Sequence, residues 1–292
     1  MNKSTPRRVA VYVGRHDRLP RHSLLSFLCD RWRDAGIDIA VLDDPGRWVE
    51  ADVAIMHVDA TRRPPAYDAV LERYPRVING RVRDISKRRV SAQLLTRRES
   101  GYDEPVIVKT DGNYCDQPDS RRRRLDNIAR HVCSRVVDRL LPVRRDIHRT
   151  GSYPIYPSPR HVPRRVWWDR RLVVEPFLPE RQDDLYCLRT WVFFGPREKA
   201  SVSFSASPVV KRVNTIRSEF VPDVPEPIRE ARRRLGFDYG KFDFVIHRGR
   251  PVLLDANSTP ACSDRPTPRL DAIADELAAD LLAAPEPARV AR

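Results

Sequence analysis

Lys241-Phe-Asp243 and Asp255-Ala-Asn257-Ser-Thr-Pro260 are the two short stretches that decide how this chain folds around its candidate chemistry. Apolar residues lead from each stretch toward His247-Arg-Gly-Arg250, whose length and glycine are typical of a hairpin turn. The pattern therefore predicts two antiparallel strands, over 242–246 and 252–255, that bring the two stretches together.

Three oxygen-bearing side chains meet at the ends of this predicted hairpin. Asp255 and Asn257 share one face because side chains alternate along a strand, and Asp243 can lie beside Asp255 on the neighbouring strand. Two carboxylates and an amide oxygen suit Mg²⁺, which keeps its other positions for water and substrate phosphates. A hydrogen-bonded Asp/Asn turn ending at Pro260 explains the same residues without a metal, so spacing alone leaves both interpretations open.

Two strand ends further upstream also carry charge. Lys109 ends the apolar run 105–109, where an unpaired charge would be costly, and the turn-forming segment 111–113 follows it. The lysine either holds an anionic phosphate or extends from the strand end into solvent. Glu175-Pro-Phe-Leu178 ends another predicted strand, and it fits either an adenine-binding segment or an ordinary strand end.

The first 80 residues alternate between short apolar runs and an amphipathic segment. Strands are predicted over 9–13, 37–42 and 51–56, with a helix over 23–35 that stops at Gly36. This alternation predicts a small parallel sheet with right-handed crossovers. Gly14 stands alone rather than in a glycine-rich fingerprint, so no dinucleotide site is expected there.

The rest of the chain is predicted from periodicity and turn residues. The Pro-rich segment 153–163 resists regular structure and suggests a mobile loop. Weak helices are expected over 67–73 and 85–96, a longer helix over 120–141, strands over 172–177, 188–194 and 200–204, and helices over 228–235 and 270–283.

Charge indicates an anionic partner without identifying it. The net charge is +14 with a pI near 10.0, but only 6 of the 54 basic residues are lysines, and arginine is spread along nearly every segment. The run Arg121-Arg-Arg-Arg124 suits phosphate binding or a solvated helix start, and no RNA-binding aromatic signature accompanies it. Nucleic acid is therefore not the expected partner.

Cysteine usage and hydropathy set the expected compartment. The five scattered cysteines form no CxxC pair, which favours neither a zinc site nor a disulfide framework. No apolar run reaches the ~18 residues that a membrane helix needs. A cytoplasmic protein without a membrane partner is predicted.

Taken in order, the motifs resemble the ATP-grasp superfamily, in particular D-alanine–D-alanine ligase-like carboxylate–amine ligases. The series runs through Asp84-Ile-Ser-Lys87, Val106-Ile-Val-Lys109, Val174-Glu-Pro-Phe-Leu178, Arg189, Gly240-Lys-Phe-Asp243 and Leu254-Asp-Ala-Asn-Ser-Thr-Pro260. The resemblance implies a mixed α/β and α+β fold. A Rossmann-like pre-ATP-grasp lobe over 1–80 would precede a two-subdomain ATP-grasp fold over 81–284, with a mobile lid at about 100–175 and a flexible tail over 285–292.

The resemblance also implies a role for each matched residue. ATP would be held by Lys87 and Lys109 at the phosphates, by Glu175, Pro176, Phe177 and Leu178 at the adenine, and by Glu180, Asp183 or Asp184 at the ribose. One or two Mg²⁺ ions, or Mn²⁺, would bind Asp243, Asp255 and Asn257. Lys241 would stabilise a charged intermediate, while Arg189 and Lys211 fit either phosphate contacts or ordinary surface positions.

The implied reaction joins a carboxylate to an amine through an acyl phosphate, with small-molecule or peptide substrates and, as in many family members, a homodimer. Two departures weaken the match: Gly112 is followed by Asn113-Tyr-Cys-Asp116 rather than by a glycine-rich flap, and Ala261 stands where glycine is common. An ATP-dependent kinase or other phosphotransferase of the same fold is one alternative. A basic RNA-binding protein with a degenerate nucleotide site is the other.

Overall fold

A computed structural model describes residues 6–14, 18–97, 101–112, 143, 147, 152–263 and 265–282. Its first sheet is parallel in the order β2-β1-β3-β4, with α1 and α2 as crossover helices, as the alternation predicted. These elements are β1 (Arg8–Tyr12), α1 (Leu24–Asp34), β2 (Asp38–Leu42), β3 (Val53–Met56), α2 (Asp68–Leu71) and β4 (Val77–Ile78).

A second, antiparallel sheet forms the centre of the molecule. Its main path runs in the order β11-β10-β9-β12-β13, and β8 pairs with β9 beside that path. The strands are β8 (Glu180–Gln182), β9 (Leu185–Phe194), β10 (Arg197–Ser205), β11 (Arg217–Val221), β12 (Tyr239–His247) and β13 (Arg250–Asn257). The predicted hairpin is present between β12 and β13, and Arg248 and Gly249 both take positive φ in its two-residue turn.

Two helices cover the central sheet, and one of them joins it to the first sheet. α4 (Glu226–Leu235) covers one part of the sheet, while α5 (Pro268–Leu282) packs against α1. Trp32 of α1 donates its indole N–H to the carbonyl of Ala278 at 2.9 Å. One continuous apolar core thus includes residues from both sides of residue 80, and the domain boundaries stay a prediction.

A third, small antiparallel sheet lies at the other side of the central one. It has the order β6-β5-β7, from β5 (Val106–Thr110), β6 (Ile155–Tyr156) and β7 (Leu172–Pro176). The Pro-rich segment before and after β6 packs into this sheet instead of lying free, because Val108 N–H bonds the Pro154 carbonyl at 3.0 Å and Val162 is buried. Burial of its apolar residues therefore packs the segment against the sheet despite its prolines.

The prediction of a helix over 85–96 is wrong in its length. The observed helix α3 covers only Lys87–Val90, because Ser91 turns to an extended conformation with ψ 134°. Leu95 then donates its N–H to the Val174 carbonyl at 2.9 Å and packs beside the small sheet. Tertiary contacts with β7 therefore win over local helix preference.

Several predictions fall outside the described residues: the helix over 120–141, the run Arg121–Arg124, the segment Asn113–Asp116, about half of the expected lid and the tail over 285–292. Within the described residues, no helix is both long and apolar enough to cross a membrane.

Candidate active site

A β-bulge brings the two predicted metal ligands together. From the turn, His247 pairs with Arg250 and Phe244 with Leu253, but the register then shifts so that Asp243 faces Asp255. Without this shift in register, Asp243 would face Leu254, and Asp255 would lie on the other side of the sheet. Bulges of this kind re-aim side chains beside functional sites.

Each of the two carboxylates is paired with a lysine. Lys87 Nζ lies 2.6 Å from Asp255 Oδ1, and Lys241 Nζ lies 2.9 Å from Asp243 Oδ2. Asp243 Oδ1 also accepts the hydroxyl hydrogen of Thr190 at 2.9 Å from the neighbouring strand β9. Four charges of alternating sign are thus gathered at the end of the hairpin.

The ion pairs control the protonation of these groups. Burial alone would raise the pKa of Asp255, but Lys87 outweighs that effect and holds the pKa below its ordinary value. Burial would lower the pKa of Lys87 and of Lys241, yet the carboxylates of Asp255 and Asp243 raise both. All three groups are therefore charged near neutral pH.

Asn257 completes the ligand set on the same face as Asp255. Its Oδ1 accepts the N–H of Thr259 at 2.8 Å, and the Thr259 hydroxyl also bonds Asp59 at 3.1 Å. In the described part of the chain, no three His, Cys, Asp or Glu side chains group to hold a metal. Two carboxylates and one amide fit Mg²⁺ that draws its other ligands from water and phosphates.

Gly240 permits this arrangement of the strands. A Cβ at this position would lie 2.7 Å from the backbone oxygen of Asn257 and 2.8 Å from the ring of Phe237. Neither the backbone nor the packed ring can move easily, so a larger residue would push β13 away from β12.

A cavity of about 230 Å³ opens between the small sheet and the central sheet, next to the paired carboxylates. Its charged lining consists of three lysines, Lys87, Lys109 and Lys211, and three carboxylates, Glu180, Asp243 and Asp255. The residues predicted to bind adenine, Pro176, Phe177 and Leu178, form an apolar wall. Four of the six lysines of this arginine-rich chain thus line the cavity or pair with its carboxylates, where a compact ammonium suits phosphate oxygens.

Lys109 and Glu175 form a buried ion pair beneath this cavity. Lys109 Nζ lies 2.7 Å from Glu175 Oε2, with side chains 9% and 4% exposed. Glu175 does not line the cavity itself, so it orients Lys109 instead of facing a ligand directly.

We expect Lys109→Met to destabilise the fold by ~3–5 kcal/mol, because it leaves the buried charge of Glu175 without a partner. The double variant Lys109→Met/Glu175→Leu should recover most of that loss, since an apolar pair of similar volume needs no compensation. Urea unfolding of the three proteins measures the difference. A single variant as stable as the wild type would contradict the expectation.

The remaining predicted residues are divided between the cavity and the surface. Glu180 lines the cavity, but Arg189 binds both of its carboxylate oxygens at 2.7–3.0 Å, and Glu180 also accepts the Ile246 N–H at 2.7 Å. Arg189 thus ties β8 to β9 and lies outside the cavity lining. Asp184 is fully exposed in the turn before β9, and the structure does not bring it to the cavity.

A second cavity, of about 490 Å³, adjoins the first. Its walls come from the ends of β1 and β3, the start of α1 and the end of β13, and it shares Lys87, Tyr153 and Asp255 with the first cavity. Backbone hydrogen bonds hold these walls together, because Leu24 N–H bonds the Pro260 carbonyl at 2.9 Å and Cys262 N–H bonds the His22 carbonyl at 2.7 Å. Basic side chains of Arg18 and His22 also line it.

His57 is a buried titratable group of this second cavity. It is 3% exposed, and its Nε2 lies 3.2 Å from the Ser23 hydroxyl. Burial lowers the pKa of His57 to about 3, so the ring is neutral near pH 7.

This burial predicts a pH dependence of stability. Below pH 6.5 the unfolded chain protonates His57 while the native state does not, so stability present above the unfolded pKa is lost as pH falls toward the folded pKa. We expect about 2 kcal/mol of loss between pH 7 and pH 5 from this one group. In His57→Asn, this loss of about 2 kcal/mol in the unfolding free energy between pH 7 and pH 5 should be absent. An unchanged dependence of the unfolding free energy on pH would contradict the assignment.

Two residues of the site were not predicted from the sequence. Thr190 has no motif of its own, and only the pairing of β9 with β12 places it opposite Asp243. Tyr153 comes from the Pro-rich segment, where no periodic pattern assigns a direction to its side chain. Knowledge of the strand register would have found the first residue but not the second.

No family model matches the chain, and no curated protein matches it in sequence. Among solved structures, a RimK domain ATP-grasp protein from Sphaerobacter thermophilus DSM 20745 is 13% identical, covering 94% of this chain and 100% of that one, with a TM-score of 0.49. D-alanine–D-alanine ligase from Bacillus anthracis is 12% identical over 94% and 97%, with a TM-score of 0.46. The macrocyclase MdnC from Microcystis aeruginosa MRC, bound with the precursor peptide MdnA, is 11% identical over 92% and 99%, with a TM-score of 0.43. These three structures match most of this chain at sequence identities of 11–13%, and their TM-scores lie below 0.5.

Proposed function

We propose that this chain is an ATP-dependent ligase that joins a carboxylate to an amine through an acyl phosphate. The observation that carries the proposal is the Lys87–Asp255 pair, which forms part of the wall of two adjoining cavities. A nucleotide in the first cavity would present its terminal phosphate at this pair. A second substrate in the neighbouring cavity would then lie within reach of that phosphate.

The first cavity supplies what a nucleotide requires. Pro176, Phe177 and Leu178 offer an apolar surface to the adenine, and Lys87, Lys109 and Lys211 offer positive charge to the phosphates. The N–H of Phe177 already donates to the Pro105 carbonyl at 2.8 Å. Other backbone groups of the segment 176–178 would therefore have to bind the base. Glu180 is the ribose candidate that lines the cavity.

The metal ligands would act with the lysines on the phosphates. Asp243, Asp255 and Asn257 would hold Mg²⁺ or Mn²⁺, which neutralises charge on the transferred phosphoryl group. When these carboxylates bind a cation, Lys87 and Lys241 lose their partners and become free to contact anionic oxygens. The chain's part in the reaction is then positioning and charge stabilisation, without a covalent enzyme intermediate.

Arg18 of the second cavity supports a carboxylate acceptor over a neutral hydroxyl. Its cationic side chain lines that cavity and favours an anionic substrate before the substrate reaches the phosphate. Both small-molecule and peptide carboxylates and amines are candidates.

The test is a screen for Mg-dependent ADP release against amino acids, other carboxylic acids and peptides, each with and without an amine. A ligase requires an acid for ADP release and gives an amide that mass spectrometry detects. A stable phosphorylated acceptor that does not react with amines would instead identify a phosphotransferase. Salt-sensitive RNA binding that does not depend on ATP would favour the remaining alternative.

A further inference from the structure

Tyr153 stands at the boundary between the two cavities. Among the residues that the structure describes, three line both cavities, and two of these, Lys87 and Asp255, are already paired with each other. Tyr153 is the third, and it contributes the aromatic ring of this shared lining. The ring is therefore placed to separate a nucleotide phosphate in the first cavity from the second cavity.

Contacts on both sides hold the ring in place. Thr110 at the end of β5 donates its hydroxyl hydrogen to the Gly112 carbonyl at 3.0 Å, and Gly112 lines the second cavity together with Tyr153. The adjacent Pro154 carbonyl accepts the Val108 N–H at 3.0 Å. The ring thus belongs to a packed part of the small sheet, although the sequence around it is rich in proline.

Lys211 reaches the same ring from the central sheet. Its Nζ lies 5.5 Å from the centre of the Tyr153 ring, within the range of a cation–π contact. Lys211 follows β10 while Tyr153 precedes β6, so this contact crosses the first cavity from one sheet to the other.

We propose that Tyr153, held by Lys211 and by packing in the small-sheet core, is a specificity-determining residue that shields the terminal phosphate of ATP from water and leaves it open to the second substrate. No glycine-rich flap follows Gly112 in the sequence. In this proposal the Tyr153 side chain, from another segment, covers the phosphates in place of such a flap. This inference rests on the proposed function. Water exclusion is required because water competes with the carboxylate for the same phosphorus.

The competing reaction is hydrolysis. A water oxygen bonds to the γ-phosphorus, the bridging P–O bond breaks with its electron pair leaving on ADP, and the water protons pass to phosphate and solvent. Removing the ring opens the phosphate to the larger cavity. Tyr153→Ala is therefore expected to raise ADP formation without any acid on the order of tenfold, while the yield of coupled product per ADP falls.

The experiment compares Tyr153→Ala, Tyr153→Phe and Tyr156→Ala in full-length protein with Mg-ATP alone. Tyr153→Phe keeps the ring and should stay near wild-type hydrolysis. Tyr156 lies in the same small-sheet core but lines neither cavity, so Tyr156→Ala controls for loss of packing. An increase in hydrolysis is a gain that general destabilisation does not produce.

The outcomes separate this proposal from the ligase function. If Tyr153→Ala binds nucleotide by calorimetry but hydrolyses it no faster than the wild type, the shielding role is overturned. The same holds if Tyr156→Ala raises hydrolysis equally. If the wild type binds and hydrolyses Mg-ATP but forms no product with any acid, ligation fails while the variant comparison still decides the role of Tyr153. Should the wild type bind no Mg-ATP, both are overturned.

Discussion

Replacing Asp255 with Asn is expected to lower Mg-dependent ADP formation by at least about 10³-fold. Asp255 is placed opposite Asp243 by the bulge at Leu254, and of the described carboxylates it is the one that lines both cavities and bonds Lys87. Losing its charge would remove a proposed metal ligand and change the environment of the lysine that would contact the phosphates. Steady-state ADP release over a range of Mg²⁺ concentrations measures the effect.

The same substitution is also expected to weaken the fold. Lys87 is only 4% exposed and Asp255 is 34% exposed, so loss of the carboxylate leaves a buried ammonium unpaired. The cost should lie near the low end of ~3–5 kcal/mol, since solvent reaches one partner. Lys87→Met/Asp255→Asn should regain stability and remain inactive, which separates chemistry from folding. A stable Asp255→Asn variant that turns over normally would defeat the proposed metal site.

The two strands of the central hairpin were predictable because apolar residues recur along each of them and turn residues lie between them. Phe242 and Phe244 are fully buried, while Lys241 and Asp243 alternate with them on the other face. The central hairpin follows directly from that pattern. So does the parallel order of the first sheet, since its buried strands alternate with an amphipathic helix.

The geometry within the site was not predictable to the same extent. In a regular hairpin counted from the turn, Asp243 would pair with Leu254. The residues around Leu254 give no sequence signal for the bulge that pairs Asp243 with Asp255 instead. Lys87 was expected on a longer helix, but hydrogen bonding of Leu95 to β7 ends the helix early. The mutual pairing of Glu180 and Arg189 likewise depends on β8 folding back along β9. Long-range contacts decide each of these cases.

Under the proposed function, the lysine–carboxylate pairs also imply that metal and nucleotide would bind together. A cation arriving alone must displace two ammonium groups from Asp243 and Asp255, and those ammonium groups find no new partner without phosphates. With ATP present, the displaced lysines gain phosphate oxygens, so each ligand should raise the affinity for the other.

Lys241→Met is expected to lower kcat by about 10²–10³-fold, because it removes a preorganised cation next to the developing negative charge. The variant should also bind Mn²⁺ more tightly in the absence of nucleotide, since Asp243 no longer has to release a lysine. Its Oδ1 would still be held by Thr190, so the carboxylate keeps its orientation. Steady-state kinetics measures kcat, and titration with Mn²⁺ followed by electron paramagnetic resonance measures the metal affinity.

Lys199→Met is the matched control. Lys199 lies in the same central sheet, but it pairs with Glu276 at 3.8 Å at the surface and is 38% exposed, so both readouts should remain at wild-type values. A fall in kcat without tighter Mn²⁺ binding would assign Lys241 to anion stabilisation alone and show that its pairing with Asp243 does not oppose the metal. Tighter Mn²⁺ binding with an unchanged kcat would assign it to the countercharge role alone. Only both changes together support exchange of Lys241 between the carboxylate and the reacting phosphate.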